Sequence, residues 1–153
     1  MVEFDTVVGK FAVELYADDA PLNVANFLQH VNAGSYTNTF IHRSVPEFVI
    51  QGGGYYADSN ISDVTRLGTA VLEYKIPNYR GTLAMARGSD PNSAGSQWFI
   101  NTVDNADYLK PLGEGYDGYT VIGRVLGDGL TVVDALAALP VYYLSEFFAE
   151  VPL

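Results

Sequence analysis

The sequence predicts a mainly β domain: about eight short strands closed into an antiparallel barrel, with two α-helices covering its ends. Three observations lead there. Alternation with period 2 recurs in short segments, most clearly where Phe11, Val13 and Leu15 alternate with Ala12, Glu14 and Tyr16. Helical spacing occurs over only two stretches, residues 21–33 and 130–139. The resulting order, ββαβ…ββ…βαβ, lacks the regular alternation of a doubly wound parallel sheet.

Taken in order, Phe4, Val7 and Val8 lead into a turn at Gly9-Lys10, and residues 11–16 return as the second arm of a hairpin. Asp18-Asp19-Ala20-Pro21 reads as a helix start, with proline in the first turn and aspartate as the cap. Val24, Phe27, Leu28 and Val31 follow at helical spacing, and Gly34 stands where a C-terminal glycine belongs. Residues 38–51 read as strands kinked at Pro46-Glu47. Residues 52–80 read as a long loop, opened by Gly52-Gly53-Gly54, which permit a tight turn or close backbone contact. Leu83 to Ala86 and Trp98 to Asn101 are strands around the turn Ser89-Asp90-Pro91-Asn92. Residues 104–118 form a second loop, Thr120 to Leu126 a strand, Leu130 to Leu139 a helix and Phe147 to Val151 a last strand.

Length and composition agree with one folded domain over residues 1–153. Hydrophobic residues make up 48% and charged residues 17%, a globular composition. A net charge of −10 repels nucleic acid and anionic membrane surfaces. With three lysines there is no basic cluster to follow a phosphate backbone. No cysteine is present, so thiolate chemistry and disulfides are excluded. No apolar run reaches membrane-spanning length. Met1 to Phe4 has neither the basic nor the apolar region of a signal peptide. Low lysine, no cysteine and many Tyr, Asn and Gly suggest an exported, periplasmic protein whose leader was removed; a cytoplasmic member is the alternative. A further C-terminal segment is equally open.

Familiar catalytic sets are not offered. The two histidines are His30, read as solvated on its helix, and His42, read as a hydrogen-bonded structural group inside a strand. Asp18-Asp19 and the pair Asp104 and Asp107 are dense in acid but sit where aspartate caps backbone N–H groups. They are therefore read as caps, not metal ligands. Gly52-Gly53-Gly54 is not followed by the lysine of a phosphate loop. Asn60-Ile61-Ser62 fits a glycosylation sequon, a pattern common by chance. What remains is an apolar set, Phe48, Val49, Met85, Ala86, Phe99, Leu109 and Tyr119, with Arg43, Gln51 and Gln97. Such a basin suits a proline ring held beside one cationic donor. Regular strand spacing would put Arg43 and Phe48, five residues apart, on opposite faces.

Four blocks carry a resemblance. They are Phe40-Ile41-His42-Arg43-Ser44-Val45-Pro46-Glu47-Phe48-Val49-Ile50-Gln51-Gly52-Gly53-Gly54, Arg80-Gly81-Thr82-Leu83-Ala84-Met85-Ala86-Arg87, Asn92-Ser93-Ala94-Gly95-Ser96-Gln97-Trp98-Phe99-Ile100-Asn101 and Gly118-Tyr119-Thr120-Val121-Ile122-Gly123-Arg124-Val125. In this order and with these gaps they resemble the signature segments of the cyclophilin-type peptidyl-prolyl cis-trans isomerases, bacterial members above all. The resemblance implies an eight-stranded closed antiparallel barrel capped by two helices. It also implies isomerase activity on Xaa-Pro bonds, without metal, cofactor or covalent intermediate. The alternative is a catalytically weak module that binds proline segments.

By position, Arg43 matches the catalytic arginine, supported by Gln51 and Phe48. Phe48, Val49, Phe99 and Leu109 match the proline-pocket wall, with Val49 where methionine is usual. Gln51 and Gln97 match the groups that hold the peptide backbone. Ala86 and Arg87 match the substrate-pairing strand, with Met85 beside them. Tyr119 stands where animal members carry histidine, and Ile41 where the family usually has phenylalanine. Tyr108 replaces the tryptophan whose indole N–H bonds cyclosporin A, so weak cyclosporin binding is expected. The implied partners are proline-containing polypeptides, and the implied state is a monomer.

Overall fold

The structure is a computed structural model that describes residues 1–113, 115–146 and 148–152. Its strands are β1 (Val2–Thr6), β2 (Gly9–Leu15), β3 (Arg43–Val45), β4 (Val49–Gly52), β5 (Thr82–Met85), β6 (Trp98–Asn101), β7 (Val121–Val125), β8 (Val141–Tyr142) and β9 (Val151–Pro152). The helices are α1 (Pro21–Asn32) and α2 (Gly129–Ala137). Seven strands form one antiparallel sheet in the order β1-β2-β7-β5-β6-β4-β3. It curls into a half-barrel. β8 and β9 form a separate ribbon that approaches β3, where the Ser44 N–H donates to the Glu150 carbonyl at 2.8 Å. The barrel is near-closed: an apolar groove of about 980 Å³ runs between β1 and the ribbon, lined by Phe4, Phe11, Phe27, Trp98 and Val151 among others.

Alternation sorts the strand residues onto two faces. Ile50, Ile100 and Leu83 lie side by side across β4, β6 and β5, all fully buried in the main core. Phe11, Val13, Val24, Phe27, Val133 and Leu136 join them from β2 and both helices. The neighbouring row, Arg43, Gln51, Phe99, Ala84 and Val121, points the other way. Val49, Ala84, Phe99, Leu109 and Val121 form a second, smaller apolar cluster on that face. A register shift between Leu83 and Ala84 lets β7 supply both Val121 to this cluster and Ile122 to the core.

Several sequence expectations need correction. The first turn falls at Val7 and Val8, because Thr6 pairs with Gly9, whose φ of 135° suits glycine. α1 begins after Ala20, with no side-chain cap from Asp18 or Asp19. Its orphan N–H groups at Leu22 and Asn23 instead donate to the Glu73 carboxylate, at 3.3 and 2.8 Å. Asp104 does cap, accepting from the Ala106 N–H at 2.9 Å. Gly34 ends α1 with φ 73°, as expected.

His30 is fully buried rather than solvated. Its Nδ1 meets the Asn26 carbonyl at 2.8 Å, and its Nε2 accepts from the Leu67 N–H at 3.1 Å. With Asn23 and Asn26 it forms a polar stripe on α1 that binds the backbone of the long loop and of the β5–β6 connection. Asn23 donates to the Val71 carbonyl at 2.8 Å, and Asn26 to that of Gly95 at 2.9 Å. β8 has no counterpart in the sequence reading. The predicted last strand shrinks to β9, and Phe147, where it was to begin, lies outside the described residues, as do Glu114 and Leu153.

Gly123 marks the closest approach of β7 to β2: a Cβ there would collide with the Glu14 carbonyl and lie 3.0 Å from Val13 Cγ1. Gly123→Ala is expected to destabilise the fold by about 1–3 kcal/mol, the usual cost of overpacking. A lowered urea midpoint with unchanged slope would show it.

Candidate active site

A cleft of about 750 Å³ opens on the outer face of the half-barrel. Of the residues the sequence nominated, Arg43, Phe48, Val49, Gln51, Ala86, Arg87, Phe99, Tyr108, Leu109 and Tyr119 line it. Gln97 stands one layer behind, accepting at its Oε1 from Gln51 Nε2 at 2.8 Å. Met85 does not join them. It pairs with Trp98 and is 1% exposed in the main core, because strand alternation turns it inward. Gly88, Ser89, Lys110, Gly115, Tyr116, Asp117 and Gly118 complete the lining. They lie in irregular segments, where no periodicity marks an inward residue; the only sign was the length of the loop 104–118.

The hairpin β3–β4 explains how Arg43 meets Phe48. Arg43 pairs with Gln51, and Val45 with Val49. Between them Glu47 takes φ 57°, and the turn carries Phe48 back over the outer face. The Arg43 guanidinium comes to rest 6.0 Å from the centre of the Phe48 ring. Arg43 is exposed, and among the described residues no carboxylate lies within ion-pair distance of it. Among the described residues, its only side-chain contact of hydrogen-bond length is Nη1 to Gln51 Oε1 at 3.5 Å.

Opposite, Arg87 stacks 4.5 Å above the Tyr119 ring and donates to the Gly118 and Gly88 carbonyls at 2.6 and 3.0 Å. Tyr119 in turn meets Phe99 edge-on at 5.7 Å, and Tyr108 meets Phe48 edge-on at 5.6 Å. The glycine run serves close approach, as predicted. A Cβ at Gly52 would lie 2.9 Å from the Trp98 ring, and one at Gly54 2.8 Å from the Gln97 carboxamide.

His42 faces inward beneath Arg43, 7% exposed and edge-on to Tyr55 at 4.9 Å. Burial, seconded by the adjacent Arg43 cation, lowers its pKa to about 4, against a weaker opposing effect of a hydrogen bond with Gln97. His42 is thus a neutral structural group at physiological pH, and among the described residues its buried Nδ1 has no partner.

The cleft brings Phe48, Phe99, Leu109 and Tyr119 together with Gln51 and the exposed Arg43, an apolar patch rimmed by polar groups. Comparisons with known proteins identify the family. The family described as cyclophilin type peptidyl-prolyl cis-trans isomerase/CLD matches residues 1–152. The peptidyl-prolyl cis-trans isomerase of Acinetobacter baylyi is 41% identical over 142 residues, covering 92% of this chain and 73% of that protein. Peptidyl-prolyl cis-trans isomerase B of Escherichia coli is 41% identical over 138 residues, covering 89% and 83%. In fold, a cyclophilin from Hirschia baltica superposes with a TM-score of 0.74 at 23% identity, covering 94% of this chain and 68% of that one. A Cryptosporidium parvum cyclophilin, crystallised in the presence of the dipeptide Ala-Pro, gives 0.72 at 24% identity, covering 97% and 89%. This chain belongs to the cyclophilin-type peptidyl-prolyl cis-trans isomerases. Its activity is acceleration of rotation about Xaa-Pro peptide bonds.

Because His42 titrates near 4 when folded and near 6.5 when unfolded, the unfolded chain binds the extra proton between those values. Stability from this group is full above pH 6.5 and falls as pH drops towards 4, by on the order of 3 kcal/mol in total. The difference in unfolding free energy between wild type and His42→Gln is expected to shrink across that window. A difference that stays constant from pH 7 to pH 4 in urea titrations would contradict the lowered pKa.

Proposed function

We propose that Arg43 is the catalytic residue of this isomerase, and that Phe48, Val49, Phe99 and Leu109 hold the proline ring beside it. The observation that carries this reading is the unpaired Arg43 guanidinium at the lip of the apolar cleft, 6.0 Å from Phe48. Rotation about the prolyl amide must break C–N resonance, against a barrier of about 18–20 kcal/mol. In the twisted state the prolyl nitrogen regains a lone pair, and a guanidinium can donate to it at any relevant pH. That bond is stronger in the transition state than in the ground state, which is what catalysis requires.

A charged hydrogen bond contributes roughly 1.5–3 kcal/mol net, or about ten- to a hundredfold in rate. The cleft supplies more by fixing the ring while the preceding carbonyl swings. Gln51, held by Gln97, is suited to bond the substrate backbone, and Ala86 and Arg87 stand where an extended peptide would run. The substrates in this reading are proline-containing segments of folding polypeptides, and the protein acts as a monomer.

Arg43→Ala is expected to lower kcat/KM on an Xaa-Pro peptide by about ten- to a hundredfold, with circular dichroism unchanged. A folded Arg43→Ala protein with wild-type turnover would refute the assignment. Tyr108 is exposed and supplies a phenol where an indole N–H would be needed. Cyclosporin A should therefore inhibit only weakly, and tight inhibition in a titration of turnover would overturn that expectation.

A further inference from the structure

Beneath the cleft lies a cluster of three buried asparagines that no catalytic role accounts for. Asn78 and Asn101 are fully buried, and Asn105 is 6% exposed. Asn101 Nδ2 donates to Asn78 Oδ1 at 3.0 Å and to Thr82 Oγ1 at 2.9 Å. Asn105 Nδ2 donates to Asn101 Oδ1 at 2.9 Å and to the Phe48 carbonyl at 3.0 Å. Asn78 Nδ2 donates to the Tyr119 carbonyl at 3.3 Å. The Asn105 backbone N–H donates to the Asn78 carbonyl at 2.9 Å. The Asn105 carbonyl in turn accepts from the N–H groups of Tyr108 and Leu109, at 3.0 and 2.9 Å.

Each amide N–H of Asn101 and Asn105 is used, so neither side chain can flip without leaving a buried donor facing a donor. Besides its hold on β5 through Thr82 and Gly81, the network bonds outward to Phe48, to Leu109 with Tyr108, and to Tyr119. These come from the β3–β4 turn and from two well-separated points of the β6–β7 connection, and all four residues line the cleft. The network thus ties the β3–β4 turn and both ends of the β6–β7 connection to β5, and so fixes cleft residues relative to one another.

We propose that Asn78, Asn101 and Asn105 form a frame that sets the width of the proline cleft, with Asn105 the positioning residue that holds Phe48 and Leu109 at their distance from Arg43. The inference rests on the cleft being the isomerase site. Losing the frame leaves every group that touches substrate in place but loosens its geometry, and small displacements of that kind cost up to about a hundredfold in rate.

The test is a double-mutant cycle on kcat/KM for an Ala-Pro peptide, with each variant shown to be folded by near-ultraviolet circular dichroism. Asn105→Ala is expected to lose about tenfold or more in the wild-type background. In a Phe48→Ala background the same change should cost at least threefold less, because the ring it positions is gone. Asn105→Ser, which keeps one donor, should fall between Asn105→Ala and wild type. Equal losses in both backgrounds, or a folded Asn105→Ala with full activity, would overturn the proposal. So would a failure of both variants to fold, which would make Asn105 a residue of stability only. Wild type lacking activity, or insensitive to Arg43→Ala, would instead defeat the underlying reading of the cleft.

Discussion

The register of β3, β4, β6 and β5 is the constraint on which the rest depends. Arg43, Gln51, Phe99 and Ala84 stand opposite one another on one face, while Ser44, Ile50, Ile100 and Leu83 do so on the other. The same strands therefore build the core and the cleft with alternate residues. A slip of one residue would bury Arg43 and expose Ile50. Burying three large aliphatic side chains contributes roughly 1.5–3 kcal/mol each, so the core penalises such a slip heavily. The face that carries the cleft is held in place by hydrophobic burial on its reverse side.

A second requirement follows from the long connection between β4 and β5. A segment of that length runs over the molecule with backbone groups that must find partners. α1 supplies some of them through Asn23 and His30, while Glu73 returns the service by capping the helix; Asn26 does the same for Gly95 in the β5–β6 connection. Each bond is worth about 1 kcal/mol net, but a buried group left unpaired costs 1–3 kcal/mol. The stripe is thus as necessary as the apolar face of the helix. Its polarity does not mean solvent.

That stripe also shows where sequence reading reached its limit. Elements governed by local rules were legible: the alternation of Phe11, Val13 and Leu15, the spacing of Val24 and Phe27, and Gly34 after the helix all fell where expected. His30 and the capping of α1 were not, because their partners, Leu67 and Glu73, lie 37 and 50 residues away or more. In the cleft, Arg43 and Phe48 meet through a turn whose positive φ at Glu47 no strand period encodes. Nominating Met85 failed for the opposite reason. Its neighbours Ala84 and Ala86 are cleft residues, and adjacency in a strand places a side chain on the other face.

Among the described residues, the two arginines of the cleft hold no carboxylate, although the chain is acidic. The protein carries 18 acidic and 8 basic residues. Lys10, Arg80, Lys110 and Arg124 each hold a carboxylate at 3.5 Å or less. Arg43 and Arg87 of the cleft, like Lys75 and Arg66 elsewhere, do not among the described residues. Arg87 spends its donors on the Gly88 and Gly118 carbonyls and its face on Tyr119, so its task is to brace the far wall. Arg43 spends almost nothing, since 3.5 Å to Gln51 is a weak hold. A carboxylate partner would compete with any acceptor that forms only in the transition state, and the cost would fall on the rate. Leaving Arg43 beside the Phe48 ring without a carboxylate, among the described residues, keeps its guanidinium available as a donor at the cleft, which is what the proposed role requires.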